Sequence, residues 1–198
     1  MPYKEHIYSV LVVSASEKFN LSLSLLLPPA VYTPVKTVSS IAQAQRETLE
    51  RAYDLVIINT PLPDDFGQKF AVDLMGDKGE RTTVVLLCVR GDLYAEIFAK
   101  VVDYGVFTLR KPLSIQTMTQ ALDWMCAARE RLCRLEKKAI SLEDKMAEIR
   151  LVNRAKWALI DVCRMTEEDA HRYIEKQAMD RCVSKREVAE GILQTYKQ

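Results

Sequence analysis

Tyr8 to Val13 is a β-branched apolar run that predicts a strand, and Glu17 to Leu27 places Phe19, Leu23, Leu26 and Leu27 at helical spacing until Pro28-Pro29 stops it. The alternation recurs. Val31 to Val38 reads as extended, Ile41 to Arg51 as a helix and Leu55 to Ile58 as a buried strand. A loop through Pro61 and Pro63 leads to a helix near Gly67 to Met75 and a strand over Thr83 to Cys88. A helix over Leu93 to Tyr104, a strand over Val106 to Leu109 and a last helix from Ser114 complete the series. Five apolar strands alternating with helices predict an α/β fold: a five-stranded parallel sheet covered on both faces, with any site at the carboxyl ends of the strands.

From Ser114 the pattern becomes a heptad. With position a at Met118, the a positions are Met118, Met125, Leu132, Ala139 and Met146, and the d positions are Ala121, Ala128, Leu135, Leu142 and Ile149. Charge fills most other positions, so the spacing predicts a coiled coil, with Met125, Leu132, Leu135, Leu142, Met146 and Ile149 as the main seam of a parallel homodimer. Asn153 and Lys156 end the apolar seam. A helix continuous from Ser114 to about Arg164 is on the order of 75 Å long. Two further helix starts show their caps, Thr166-Glu-Glu-Asp169 and the capping box Ser184-Lys-Arg-Glu187. Ala170, Tyr173, Ile174, Gln177 and Ala178 on one helix and Val188, Ala189, Ile192 and Leu193 on the next can close a three-helix bundle with Val152, Ala155, Leu159 and Ile160.

The placement of helix breakers sharpens this division. All seven prolines lie at or before Pro112, and of the six glycines only Gly191 lies beyond Gly105. An α/β half therefore gives way near Pro112 to an all-helical half. With 198 residues, 48% of them hydrophobic, the chain suffices for one large or two small domains. No apolar run approaches a membrane span and no secretion signal opens the chain, so it reads as cytoplasmic, with no membrane partner. Five scattered cysteines, Cys88, Cys126, Cys133, Cys163 and Cys182, suit free thiols in a reducing compartment. With His6 and His171 far apart, no metal site or cofactor is expected.

Asn59-Thr-Pro-Leu-Pro63 with Gly67 after the third strand, and Gly105 followed by Lys111-Pro112 around the fifth, resemble in order and spacing the receiver domain of bacterial response regulators, over roughly residues 6 to 123. The resemblance implies a flavodoxin-like fold with a phosphoacceptor pocket at the strand ends. That pocket is degenerate here. A typical receiver has two acidic residues after strand one and an acceptor aspartate after strand three, because magnesium needs anionic oxygens and phosphoryl transfer needs a carboxylate nucleophile. At those positions stand Ser14, Ala15 and Asn59, and the expected hydroxyl residue after strand four is Cys88 or Val89. Lys111 alone is retained, as a donor for example to the Asn59 side chain. Asp64 and Asp65 read as turn-forming loop residues. A pseudo-receiver of this kind keeps the fold as a binding surface whose state is set by a regulatory protein, a small ligand or nothing. Tyr104 and Phe107, flanking Gly105, lie where receivers switch and dimerise, and a core role is equally open to both.

A second resemblance covers roughly residues 138 to 198. Arg154-Ala-Lys-Trp-Ala-Leu-Ile160, Thr166-Glu-Glu-Asp-Ala170, Gln177-Ala-Met-Asp-Arg181 and Val188-Ala-Glu190 resemble the ANTAR domain of transcription antitermination regulators. Trp157 departs from the family, which usually has glycine there. The resemblance implies a dimer that binds hairpins in nascent mRNA leaders, with no enzymatic activity. Domains are then expected at 1–123 (pseudo-receiver), 114–151 (coiled-coil helix) and 138–198 (ANTAR). Loop bases are read by stacking and hydrogen bonds, and phosphates by basic groups. The candidate contacts are Arg154, Lys156, Gln177, Arg181, Ser184, Lys185 and Arg186, with Trp157 as a possible stacking residue and Tyr173 better suited to the core. From Lys145 to Gln198 basic residues outnumber acidic ones by only two, so any RNA contact is local rather than a broad positive field. The same balance leaves a protein-interaction scaffold with no RNA as the alternative.

Overall fold

The computed structural model describes residues 6–76 and 82–196, and the chain divides into two compact units, Met1–Glu136 and Lys137–Gln198. In the first, β1 (Tyr8–Ser14), β2 (Tyr32–Val38), β3 (Leu55–Asn59), β4 (Val84–Val89) and β5 (Phe107–Arg110) form one sheet of order β2-β1-β3-β4-β5. Every adjacent pair is parallel. The helices are α1 (Glu17–Ser24), α2 (Ile41–Glu50), α3 (Gln68–Met75), α4 (Tyr94–Val101) and the start of α5 (Ile115–Cys163). The helix expected over Leu93 to Tyr104 is α4 plus a 3₁₀ turn, Val102–Tyr104, which Gly105 ends in a left-handed conformation.

Strand side chains alternate between the two faces. Leu11, Val13, Val56, Ile58, Val85 and Leu87 pack against α2, α3 and α4. Val10, Val12, Leu55, Ile57, Val84, Leu86 and Cys88 face the opposite way, against α1 and α5. Because β1, β3 and β4 are covered on both faces, residues 10–13, 55–58 and 84–89 are apolar without interruption, as the sequence pattern requires. Gly67 precedes α3 at φ 73°, and a Cβ there would stand 2.8 Å from the Ile58 Cγ2, so only glycine lets the loop after β3 close onto the strand. Asp64 accepts hydrogen bonds from the N–H groups of Ile41 and Ala42 at 3.1 and 2.9 Å, tying that loop to the start of α2. Asp65 accepts from the Gly67 N–H at 2.8 Å, the turn role expected of it.

The heptad seam needs correcting in its first half. Met118, Ala121 and Met125 are buried in the receiver-like core, Met125 completely, and Ala128 and Leu132 pack against the same cluster. Met125 and Leu132 are therefore not free to form an inter-helix seam. An amphipathic stripe packing on a sheet face needs the same apolar spacing as a coiled coil over a few turns. The core also continues beyond residue 123, through Met125 and Cys126. At the opposite end of the strands from Asn59, Arg129 on α5 pairs with Asp54 at 2.5 Å, both nearly buried. The Ser9 N–H and hydroxyl each donate to the same carboxylate at 2.8 Å. Burial opposes ionisation of Asp54, but the Ser9 bonds and the Arg129 charge outweigh it and hold the carboxyl below its usual range.

In the second unit α5 continues to Cys163, followed by α6 (Glu167–Asp180) and α7 (Lys185–Thr195). Ala155, Leu159, Ala170, Ile174, Ala178, Val188, Ala189 and Ile192 form its core, the expected three-helix bundle. Thr166 and Ser184 cap α6 and α7 by accepting from the Asp169 and Glu187 N–H groups, each at 3.2 Å. After α6, Cys182 adopts φ 52° while the Cys182 and Val183 N–H groups return to the Met179 and Ala178 carbonyls. This is a Schellman-type ending built on a residue with a side chain. Tyr173 is 40% exposed and lies outside this core, contrary to its expected packing role, because Ile174 and Ala170 occupy the inward face of α6.

Candidate functional site

At the carboxyl ends of the strands, Ser14, Asn59 and Cys88 stand side by side in register on β1, β3 and β4. Ser14 and Asn59 are buried and bonded to each other, the amide Nδ2 donating to the Ser14 Oγ at 2.9 Å. The Ser16 N–H donates to the same oxygen at 3.2 Å. Ala15 is exposed beside them. Cys88 is fully buried, and burial pushes its thiol up to about 12, with Lys111 opposing the rise. Val89 belongs to the core on the other sheet face.

Lys111 donates to the backbone carbonyl of Thr60, not to the Asn59 side chain as expected. The Asn59 amide already serves Ser14, and the Thr60 carbonyl follows directly where β3 ends. Burial lowers the Lys111 pKa, because desolvation disfavours the ammonium. Thr60, which sequence reasoning passed over, is also buried and spends its hydroxyl on the Cys88 carbonyl at 3.0 Å. The five strand-end residues thus carry one cation and no carboxylate. Among the described residues no group of three or more potential metal-ligating side chains converges anywhere. Tyr104 is exposed and Phe107 packs against the core, so the two aromatics around Gly105 part company.

The basic candidates of the second unit fall into two groups. Lys156, on α5, is largely covered and pairs with Glu167 at the first turn of α6 at 3.1 Å. Arg181, Ser184, Lys185 and Arg186 gather after the other end of α6, a helix of 14 residues, or about 21 Å. Within that second group Lys185 pairs with Glu175 at 2.6 Å and Arg186 with Glu190 at 3.1 Å. The Ser184 hydroxyl is occupied as a cap. Gln177 is half-buried, its backbone carbonyl accepting from Arg181. Arg154 and Arg181 are exposed and belong to no ion pair found among the described residues, which leaves their guanidinium groups available. Trp157 presents an indole 70% exposed.

Residues 141–193 match the ANTAR domain family. The chain thus joins a receiver-like domain to a C-terminal ANTAR domain, the layout of a response regulator whose output is transcriptional. It is homologous to the transcriptional regulatory protein PdtaR of Mycobacterium tuberculosis, with 27% identity over 143 residues, 72% of this chain and 68% of that protein. The sheet and its helices are similar to the signal receiver domain of an HD domain-containing protein from Pseudomonas fluorescens Pf-5. That match has TM-score 0.55 and 25% identity and covers 64% of this chain and 91% of that one. The chemotaxis response regulator CheY4 of Vibrio cholerae shares the fold at TM-score 0.52 and 21% identity, over 60% of this chain and 98% of its own. No helix among the described residues is long and apolar enough to cross a membrane.

Proposed function

We propose that this protein is a non-enzymatic, dimeric transcription antitermination regulator that binds hairpins of nascent mRNA leaders through its ANTAR domain, in the cytoplasm, under control of a receiver that is not phosphorylated. The ANTAR match over residues 141–193 carries the reading. Arg154 and Arg181 are the leading phosphate contacts because neither is committed to an internal carboxylate, and Trp157 offers a face on which a loop base stacks. Lys156, Lys185 and Arg186 contribute after exchanging their Glu167, Glu175 and Glu190 partners, so each adds less. Gln177 and Ser184 position the turn that holds Arg181. The test is binding of the full-length protein to a two-hairpin leader RNA over a range of salt. Arg181→Ala is expected to weaken binding and reduce the salt slope by about one. Unchanged affinity in both Arg154→Ala and Arg181→Ala overturns the assignment.

The dimer seam in this reading begins at Leu135. Leu135, Leu142, Met146 and Ile149 are all more than half exposed at a and d positions of one helix. In a parallel pair, Arg131 and Lys138 at g face Glu136 and Glu143 at e of the second copy, an attractive pattern; the like-charged Lys145 and Arg150 fall where the seam ends. The receiver pocket lacks the chemistry of phosphoryl transfer: Asn59 offers an amide where a carboxylate nucleophile is needed, and Ser14 and Ala15 supply no anionic oxygen for magnesium. Acetyl phosphate with magnesium is expected to leave no label on the protein. The low charge excess and the three internally paired lysine and arginine side chains favour one second reading, a scaffold that binds protein and no RNA. A stoichiometric protein partner together with no RNA shift establishes it.

A further inference from the structure

We infer that the cavity between α1, the first turns of α5 and the strand ends is a binding site for a small organic monoanion with an apolar body, such as a hydrophobic carboxylic acid, and that this acid takes the regulatory place of the phosphoryl group. The inference rests on reading the pocket as unfit for phosphorylation. The cavity has a volume of about 780 Å³, within the range of small-molecule sites, and lies wholly in the first unit. Its wall is hydrocarbon: Phe19 and Leu23 from α1 and Leu26 from the turn after it face Ile115 and Met118 from α5. Its floor is polar, with Asn59, Thr60 and Lys111 at the strand ends. An apolar body gains by leaving water along that wall.

The charge of the rim selects the head group. Lys18, Arg90 and Lys111 line the cavity against the single carboxylate of Asp92. Arg90 is already paired with Asp92 at 2.6 Å, whereas no carboxylate among the described residues pairs with Lys111, a half-buried ammonium bonded to one backbone carbonyl. An ammonium in that position favours an anion, because its own desolvation has not been offset. Inorganic phosphate is a poor fit. Its several oxygens need converging N–H donors, and the Thr60 and Lys111 N–H groups are spent on the Cys88 and Val89 carbonyls. One ammonium suits one carboxylate or sulfonate. Such a ligand bridges α1 to α5 at Met118, on the face that seats α5 on the sheet and about two helical turns before Met125.

The experiment uses full-length protein and 1-anilinonaphthalene-8-sulfonate, an aromatic body with one sulfonate, read by fluorescence and displaced by decanoate. The uncharged analogue N-phenyl-1-naphthylamine is run beside it. Saturable binding of one molecule per chain is expected, and it should weaken about tenfold or more in Lys111→Gln, the loss of a charge-assisted bond. Ser22→Trp, which fills the cavity from an exposed position on α1, should abolish it, and Leu142→Glu on the exposed strip of α5 should leave it intact. Loss in Leu142→Glu with retention in Ser22→Trp overturns the site. Equal affinity for the uncharged analogue overturns the anionic ligand. A separate incubation with acetyl phosphate keeps the two readings distinguishable: label on the protein refutes the phosphorylation-incompetent pocket, while the dye result bears on the cavity alone.

Discussion

Met125 and Met146 occupy the same heptad position of one helix, yet Met125 is completely buried and Met146 is 57% exposed. Around Met125 the stripe of α5 also includes Ala121, Leu122 and Cys126, and it closes one face of a five-stranded sheet. Around Met146 the companions Leu142 and Ile149 are likewise more than half exposed. The contrast teaches that apolar periodicity specifies that a helix face must be covered, and says nothing about what covers it. The surroundings settle that. The sheet stands beside the first stretch and needs a lid for Leu55, Ile57 and Leu86, while the three-helix bundle that follows is completed by a different face, that of Ala155 and Leu159.

The comparison breaks most visibly at Met125. Met125→Ala is expected to cost the receiver-like unit about 3 kcal/mol, whereas Met146→Ala should change fold stability by no more than about 0.5 kcal/mol, both read from denaturant melts. Equal costs refute the division of the helix. The anchor below Met125 is tested next: Asp54→Asn leaves Arg129 without its charge partner and should cost about 2 kcal/mol. Because the folded Asp54 carboxyl is depressed, its contribution is complete above the unfolded value and fades as pH falls through the folded one. The gap in melting temperature between wild type and Asp54→Asn should therefore begin to narrow below about pH 4 and go on closing as the pH falls further. A gap that stays constant to pH 2 removes the electrostatic account.

On the exposed stretch, Leu142→Glu is expected to weaken self-association about thirtyfold in analytical ultracentrifugation, the effect of burying a lone charge in a small seam, while the thermal melt of the monomer is unchanged. A wild-type protein that is monomeric at high concentration removes the seam altogether. The smallest effect lies in the bundle. Cys182→Gly should stabilise the second unit by about 0.5 kcal/mol, since glycine bears the left-handed conformation without a Cβ clash but loses more chain entropy on folding. No gain, or a loss, shows that the thiol makes a compensating contact.

The strands and helices were legible because each speaks through local pattern: uninterrupted apolar runs for strands covered twice, hydroxyl caps at Thr166 and Ser184, glycine where Gly67 presses on Ile58. The strand-end residues Ser14, Asn59 and Lys111 were found through the resemblance to receiver domains, which rests on the order and spacing of short motifs. What they bond to was not, since Thr60 contributes only a backbone carbonyl to Lys111, and a carbonyl leaves no mark in sequence. The Asp54–Arg129 pair was illegible for another reason. Its partners are 75 residues apart, and each looks like an ordinary surface charge next to an apolar run. Tyr173 misled because an aromatic at helical spacing beside Ile174 fits a core pattern, while Ala170 and Ile174 already take the inward face of α6.

The continuation of the receiver-like core along α5 also decides how this protein is to be dissected. A fragment ended at residue 123, where the fold resemblance stops, discards Met125, Cys126 and Arg129, and so exposes the sheet face they cover and strands Asp54 without its cation. Such a fragment should precipitate or bind to other chains, and any partner it captures would report on the cut rather than on the protein. Ended after Glu136, the same domain keeps its lid and its anchor, Met125, Cys126 and Arg129.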